Sequence, residues 1–282
     1  MNFSVFEVLK TASEKFSVAQ IDNPRLDAEI LLAHVLNCRR LTLYVDSQRI
    51  LPLDSVLKFN ELVNRRLEGV PVAYLVGSKE FFGLKFAVNE NVLIPRPETE
   101  ILTEFVGEYL RGLGGEVIFA DLGTGSGAIA VSILKFVKSA RAVAVDISAE
   151  ALEVAKFNAQ KFHVEDRIEF FCGDLFAPLE GQIFNAIVSN PPYIPTNDLK
   201  SLQVEVQREP QLALDGGEDG LNFYRRILSD APRFLIKGGL LAVEIGINQA
   251  DSVKKLFEAA TFTDVTILKD LAGIERVVAG VI

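Results

Sequence analysis

"ADLGTGSGAIA", Ala120 to Ala130, joins a strand-like run, "EVIFADLG", to a helix-like run over residues 127–138. Between them Gly123, Gly125 and Gly127 allow a tight turn and a close approach of a ligand to the backbone. A helix opening near Gly127 presents free N–H groups and the positive end of its dipole, which suits a polar or anionic ligand.

Outward from this loop, strands and helices alternate. The helix "ETEILTEFVGEYLRGL" precedes it, and the strand "RAVAVD", a helix over 148–162, and the strands "RIEFFCGD" and "FNAIVSN" follow. A helix over 219–236, the strand "GLLAVEIG", a helix over 248–260 and the strands "TDVTILKD" and "IERVVAGVI" complete the chain. This alternation predicts an α/β fold with a mostly parallel sheet and helices on both faces.

Two acids are expected at the carboxyl edge of that sheet. Asp146 ends the strand after the loop, 19 residues beyond Gly127, where a carboxylate accepts hydrogen bonds from ribose hydroxyls. Asp174, in "GDLF", is placed to accept from an adenine amino group, with Leu175 against the ring. Loop, Asp146 and Asp174 together fit an adenosine-bearing ligand. The loop alone also satisfies the looser G-x-G-x-x-A form of a dinucleotide site, so NAD and S-adenosyl-L-methionine both remain open on these residues.

Upstream, residues 1–78 read as a helical domain. Phe3, Phe6 and Leu9 recur at helical spacing. In "NPRLDAEILLAHVLN", Asn23 is placed to cap, Pro24 to open the helix, and Leu26, Ile30, Ala33 and Leu36 or Asn37 to form one face. Val56, Phe59, Leu62, Val63 and Leu67 mark the inner face of a further helix. Residues 79–96 read as a linker, with a hairpin turning near Gly83 and Pro95 and Pro97 stiffening the exit. Residues 97–282 form the α/β domain.

The bulk numbers narrow the function. A hydrophobic share of 49% with 24% charged residues is a globular composition. No apolar run reaches the roughly 20 residues of a membrane span, and the start lacks a signal-peptide pattern, so a cytoplasmic protein with no membrane partner is expected. Cys38 and Cys172 stand far apart, and His34 and His163 fall in predicted helices. That leaves no material for a disulfide framework, a metal site or a Ser-His-Asp triad. A net charge of −9 argues against nucleic acid as the substrate.

"VSNPPYIP", Val188 to Pro195, carries the chemistry. Its strand is expected to neighbour the glycine-loop strand, which sets Asn190 beside the ligand's reactive part. The Asn190 side-chain oxygen and the Pro191 carbonyl, held by Pro192, can accept both hydrogens of an NH₂ group. Tyr193 can pack over a planar amide or base. Holding both N–H bonds frees the nitrogen lone pair for attack and stabilises the positive charge that develops.

"DLGTGSG" resembles the first motif of class I methyltransferases that use S-adenosyl-L-methionine, and the final antiparallel pair of strands resembles their seven-stranded, Rossmann-like sheet. "NPPY" is shared by amino-methyltransferases of adenine or cytosine in nucleic acid and by enzymes that modify glutamine. "PRLDAEILLAHVL", "GVPVAYLVGSKEFFGLKFAVNENVLIPRPETE", "DLGTGSGAIA", "VSNPPYI" and "EPQLALDGGEDGLNFYRRI" together resemble the release-factor glutamine methyltransferases, the PrmC/HemK family. The resemblance implies methylation of the glutamine N5 in the Gly-Gly-Gln motif of class I peptide chain release factors, with S-adenosyl-L-homocysteine as the second product. It implies cofactor binding by Asp121, Gly123, Thr124, Gly125, Ser126, Gly127, Asp146, Ile147, Asp174, Leu175 and Asn190. Asn190, Pro191, Pro192 and Tyr193 would hold the glutamine, with Asn190, Pro191 and Tyr193 catalytic. The helical domain would dock the release factor, and a monomer suffices. Arg96, Glu98 and the loop 215–220 would lie near the mouth of the site. An N6-adenine methyltransferase using the same pocket, a non-enzymatic binder of the cofactor and an NAD dehydrogenase are the competing readings. On the main reading, Asn190→Ala abolishes turnover and largely spares cofactor affinity.

Overall fold

The computed structural model describes residues 3–282. They form two compact units: one runs to Gly77 and takes in Val204–Arg208, and the other comprises Ser78–Gln203 and Glu209–Ile282. No described helix is long and apolar enough to cross a membrane.

The first unit consists of α1 (Val5–Val18), α2 (Pro24–Val35), α3 (Arg40–Val45), α4 (Leu53–Leu67) and α5 (Val72–Val76). Ser4 and Glu7 form a capping box on α1. Two expected faces are rotated, and a third, on α4, departs at one residue. On α1, Phe6 is exposed and the buried stripe is Val5, Val8, Leu9, Ala12 and Phe16. On α2, Leu26 is exposed and Ile30 and Leu36 are half-buried, while Ala28, Leu31, Leu32 and Ala33 are buried. On α4, Val56, Phe59 and Val63 are buried, but Leu67 is exposed and Arg66 takes its place inside. Arg66 Nε donates to Asp27 Oδ2 at 2.8 Å, and its Nη2 pairs with Glu205. Arg208 donates to the Glu68 carbonyl at 2.9 Å. These bonds tie Val204–Arg208 to the helices, although the sequence placed that segment in the α/β domain. Asn23 occupies the N-cap of α2 but makes no side-chain cap bond.

The second unit opens with a hairpin of β1 (Ser78–Phe81) and β2 (Leu84–Ala87), whose turn residues Phe82 and Gly83 both have positive φ, as a tight right-twisted hairpin requires. Phe81 and Phe86 are buried in this unit's core, so the hairpin belongs to the unit and not to a linker. Then follow α6 (Thr99–Leu113), β3 (Val117–Leu122), α7 (Ala128–Phe136), β4 (Ala140–Asp146), α8 (Ala149–Lys161), β5 (Ile168–Cys172) and β6 (Phe184–Ser189). The chain ends with α9 (Asn222–Asp230), β7 (Leu235–Glu244), α10 (Ala250–Ala259), β8 (Thr263–Lys269) and β9 (Glu275–Val281). Helix α9 is shorter than the expected 219–236, because Pro232 interrupts it and Leu235 already pairs with Phe184. His163 falls outside α8, at a φ of 56°.

The sheet order is β5-β4-β3-β6-β7-β9-β8, with β9 antiparallel to both neighbours and the other pairs parallel. Alternate residues of β3 enter different cores: Val117 and Phe119 pack with α6 and α7, Ala120 and Leu122 with α9 and α10. Burial on both faces explains why the central strands read as unbroken apolar runs. The chain leaves β3 toward β4 and β5, then returns to place β6 on the other side of β3. Neighbouring loops therefore part between β3 and β6, where ligands bind in open α/β sheets.

Candidate active site

Register brings the predicted residues together. Leu122 stands opposite Val145 on one side and Ser189 on the other, and Ser189 stands opposite Val243. The next residue of each strand therefore falls in one row along the carboxyl edge: Asp146, Gly123, Asn190, Glu244. In front of the first three lies a cavity of about 300 Å³. Gly123, Gly125, Asp146, Ile147, Asp174, Leu175, Asn190, Pro191 and Pro192 line it.

Gly123 and Gly125 have φ of +72° and +55°, and a Cβ built on either meets nothing within 4 Å. Their backbone is therefore both left-handed and open to a ligand. Asp146 Oδ2 accepts from the Gly125 amide at 2.8 Å, and Oδ1 accepts from the Ser148 amide at 3.0 Å. Each carboxylate oxygen keeps a lone pair for a ligand hydroxyl. Burial raises the Asp146 pKa against these amide bonds.

Other predicted residues stand behind the wall. Asp121 is wholly buried; its Oδ2 accepts from Thr124 Oγ1 at 2.7 Å and from the Ala130 amide at 3.3 Å. Its Oδ1 has no partner among the described residues, and burial pushes its pKa up to about 7. Thr124 and Ser126 are buried, and Gly127 packs against Ala155, with a Cβ there meeting Ala155 Cβ at 3.2 Å. These four shape the loop rather than the cavity surface.

Asp174 lies two residues past the end of β5, in the turn that follows, and pairs with Arg226 at 2.6 Å. Leu175 beside it holds a φ of 51°, a strained value for a leucine.

Tyr193 is half-buried and does not line the cavity. Burial raises its pKa. Its carbonyl accepts from Gln249 Nε2 at 3.0 Å, and a Cβ on Gly246 would come within 3.0 Å of its ring. The loop 215–220 rests on the same backbone. A Cβ on Gly216 would lie 2.7 Å from Tyr193 Cα, and one on Gly220 2.4 Å from the Tyr193 carbonyl oxygen. Ile194 bridges to Asp215. The glycines of "LDGGEDG" thus let one loop clamp the Asn190–Tyr193 frame.

Arg96 and Glu98 have protein partners. Arg96 pairs with buried Glu209 at 2.6 Å, and Glu209 also accepts from the Ile94 amide at 3.0 Å, which holds the cavity wall at Pro210, Leu212 and Ala213. Glu98 faces Arg276 at 3.9 Å and makes no side-chain cap bond on α6. The sequence reading missed Glu90–Leu93, Phe223 and Glu244. The apolar pair Val92-Leu93 in a polar, proline-rich stretch, and a lone acid closing the apolar strand "GLLAVEIG", were the available signals.

Asn190 Nδ2 donates to Thr99 Oγ1 at 3.2 Å. Asn190 and Pro191 both line the cavity. The donor set fits an adenosine-bearing molecule: open glycine backbone, a carboxylate at Asp146, and apolar surface at Ile147, Leu175 and Phe223.

A seven-stranded sheet of this order is the fold of class I methyltransferases, and the sequence matches place the chain in that class. Residues 99–207 match the family described as methyltransferase small domain, and residues 7–77 that described as PrmC N-terminal domain. In fold, the chain is similar to a methyltransferase from Pyrococcus furiosus, with a TM-score of 0.53, 20% identity, and coverage of 77% of this chain and 96% of that one. The hMettl16 catalytic domain, solved with MAT2A 3′UTR hairpin 6, gives a TM-score of 0.59 at 16% identity, over 78% and 81%. In sequence, the chain is 44% identical to the release factor glutamine methyltransferase of Geobacter sulfurreducens, over 92% of this chain and 90% of that one. It is 42% identical to the protein so named in Chlorobaculum tepidum, over 97% and 96%. The chain belongs to the release factor glutamine methyltransferase family.

Proposed function

We propose that this protein transfers a methyl group from S-adenosyl-L-methionine to N5 of the glutamine in the Gly-Gly-Gln motif of class I peptide chain release factors. The observation that carries this reading is that Asn190, Pro191 and Pro192 wall the same cavity as Gly123, Gly125 and Asp146, in a chain of that family. When bound, the cofactor supplies an electrophilic methyl group on a sulfonium centre. Gly123 and Gly125 let its polar parts approach the backbone, Asp146 accepts from the ribose hydroxyls, and Ile147 and Leu175 flank the adenine. Asp174 reaches the adenine amino group only by sharing its carboxylate with Arg226.

The substrate end belongs to the rigid frame. Asn190 Oδ1 and the Pro191 carbonyl accept the two N–H bonds of the glutamine amide. That grip turns the nitrogen lone pair out of conjugation with its carbonyl. Both oxygens then stabilise the positive charge that grows on nitrogen. Holding the nitrogen within about 3–3.5 Å of the carbon it attacks removes much of the remaining barrier. The cationic product loses its proton to water. Tyr193 serves here as the anchored end of the frame, through its carbonyl and its packing on Gly246. The helical unit, with Leu41 and Val45 on α3 and Leu53 and Leu57 on α4 exposed, supplies the docking surface for the release factor. The reading places the reaction in the cytoplasm, with a single chain as the acting unit and S-adenosyl-L-homocysteine as the second product.

Incubation with S-adenosyl-L-methionine and a release factor, followed by mass spectrometry of the Gly-Gly-Gln peptide, tests the proposal. One added methyl group on the glutamine is expected. Methyl transfer to DNA or RNA adenine, with the release factor unmodified, rejects it.

A further inference from the structure

Glu244 is the last residue of β7 and the one acid in "GLLAVEIG". Because Ser189 and Val243 are partners across the parallel pair, Asn190 and Glu244 stand abreast at the ends of adjacent strands. Glu244 is 2% exposed, and its Oε2 has no hydrogen-bond partner among the described residues. Thr99, the first residue of α6, accepts from Asn190 Nδ2 at 3.2 Å. Thr99 and Asn190 both lie close enough to the Glu244 carboxyl to hold its pKa down by hydrogen bonding. The proposed methyl transfer does not use this buried carboxylate, whose Oε2 is unpartnered among the described residues.

We propose that Glu244, acting with Thr99, is the positioning residue that keeps the Asn190 carboxamide turned with Nδ2 inward and Oδ1 toward the cavity. The inference rests on Asn190 Oδ1 being a substrate acceptor. The two ends of a carboxamide have nearly the same shape, so only their hydrogen-bond partners tell them apart. A carboxylate can only accept. Thr99 Oγ1 takes a hydrogen from Nδ2, which leaves its own hydrogen for Glu244. A flipped Asn190 would set its oxygen against these acceptors in a site closed to water, which is unfavourable. Protonation of Glu244 removes that discrimination, since its hydroxyl can then donate to an inward Oδ1.

The charged and titratable groups facing Glu244 are Glu98 before α6, Arg276 on β9, Tyr193 on the substrate frame and Tyr224 on α9; Arg96 faces Tyr193. Burial pushes Glu244 up to about 7, against the bonds from Thr99 and Asn190. Its ionisation therefore falls where the enzyme can be assayed.

The full-length protein, ¹⁵N-labelled at asparagine, is compared with Glu244→Gln, Thr99→Val and Thr99→Ser. The Asn190 side-chain NH₂ signals are identified by their loss in Asn190→Ala. They are expected to shift as the pH passes about 7 in the native protein and to stay fixed in Glu244→Gln. With a release factor as substrate, Glu244→Gln and Thr99→Val are expected to lower kcat about 10²-fold, with the Kd for S-adenosyl-L-methionine unchanged. Thr99→Ser restores kcat. The native kcat falls on the acid side of Glu244 ionisation, and that limb is absent in Glu244→Gln. Asn190 signals indifferent both to pH and to Glu244→Gln, or a native kcat in Thr99→Val, overturn the proposal. The spectroscopic arm needs no substrate. A native protein that fails to methylate the release factor therefore refutes the functional reading alone, while an unresponsive Asn190 amide refutes the positioning role even in an active enzyme.

Discussion

Gly123 and Gly216 both border the substrate frame, and different physics requires each. Gly123 has a φ of +72° and open space where a Cβ would stand. Alanine there meets no neighbour and only strains the backbone, at about 1–2 kcal/mol. It also puts a methyl group where the ligand approaches. Gly216 lies outside the left-handed region, but a Cβ would sit 2.7 Å from Tyr193 Cα and 2.9 Å from Gly220 Cα. Backbone cannot swing aside as a flexible side chain can, so Gly216→Ala must displace the Asn190–Tyr193 frame. Overpacking of this kind costs about 1–3 kcal/mol. Gly123→Ala is expected to weaken S-adenosyl-L-methionine binding more than it lowers stability. Gly216→Ala is expected to lower stability and kcat while sparing cofactor affinity. Urea unfolding and cofactor titration on both variants check this, and matching profiles for the two would remove the distinction.

The central strands were legible because both of their faces are buried, so any register of "VIFADL" or "FNAIVS" reads as a strand. Alternation of elements implies the parallel sheet, and its doubly wound order, expected from the methyltransferase resemblance, brings Gly123, Asp146 and Asn190 together. The phase of the N-terminal helices was not legible in the same way. On α2 the spacing Leu26, Ile30, Ala33 competes with Ala28, Leu31, Leu32; only Ala33 of the first stripe is buried, against all of the second. The charges decide it: Asp27 sits inside because Arg66 of α4 reaches it, and Glu29 because Arg25, Arg40 and Tyr44 donate to it. A single chain offers no sign that such partners, 39 residues apart for Asp27 and Arg66, will meet. Burial raises the Asp27 pKa even against Arg66, so the site is costly to its charge. Arg66→Met removes this charge partner while keeping apolar bulk. It is expected to destabilise the protein by about 3 kcal/mol, with Asp27→Asn milder because it leaves no buried anion. Equal losses from the two substitutions, measured by urea unfolding, would show that packing rather than charge pairing governs this contact.

Taken as one molecule, the protein holds buried acids, Asp27, Asp121, Asp146 and Glu244, that bind protons more tightly in the folded than in the unfolded chain. Burial pushes both Asp121 and Glu244 up to about 7, from unfolded values of 3.8 and 4.5. Below those unfolded values both states are protonated and the stabilisation is fully present. As pH rises the unfolded chain gives up its protons first, so unfolding releases them and stability declines until the folded groups ionise near 7. The decline amounts to at most about 1.4 kcal/mol per pH unit for each group. Carboxylates with lowered pKa, such as Glu29 held by Tyr44, Arg40 and Arg25, act in the opposite direction, but only on the acid side of 4.5. Between about pH 5 and pH 7, then, the buried acids set the slope, with Asp121 and Glu244 acting furthest toward pH 7. The melting temperature of the ligand-free protein is expected to fall across that interval. Asp121→Asn and Glu244→Gln should each flatten the fall, and the double variant should flatten it most. A melting temperature that rises from pH 5 to pH 7, or a slope that the double variant leaves untouched, would mean that these carboxyls ionise freely in the folded state and that the sheet edge is wetter than its burial implies.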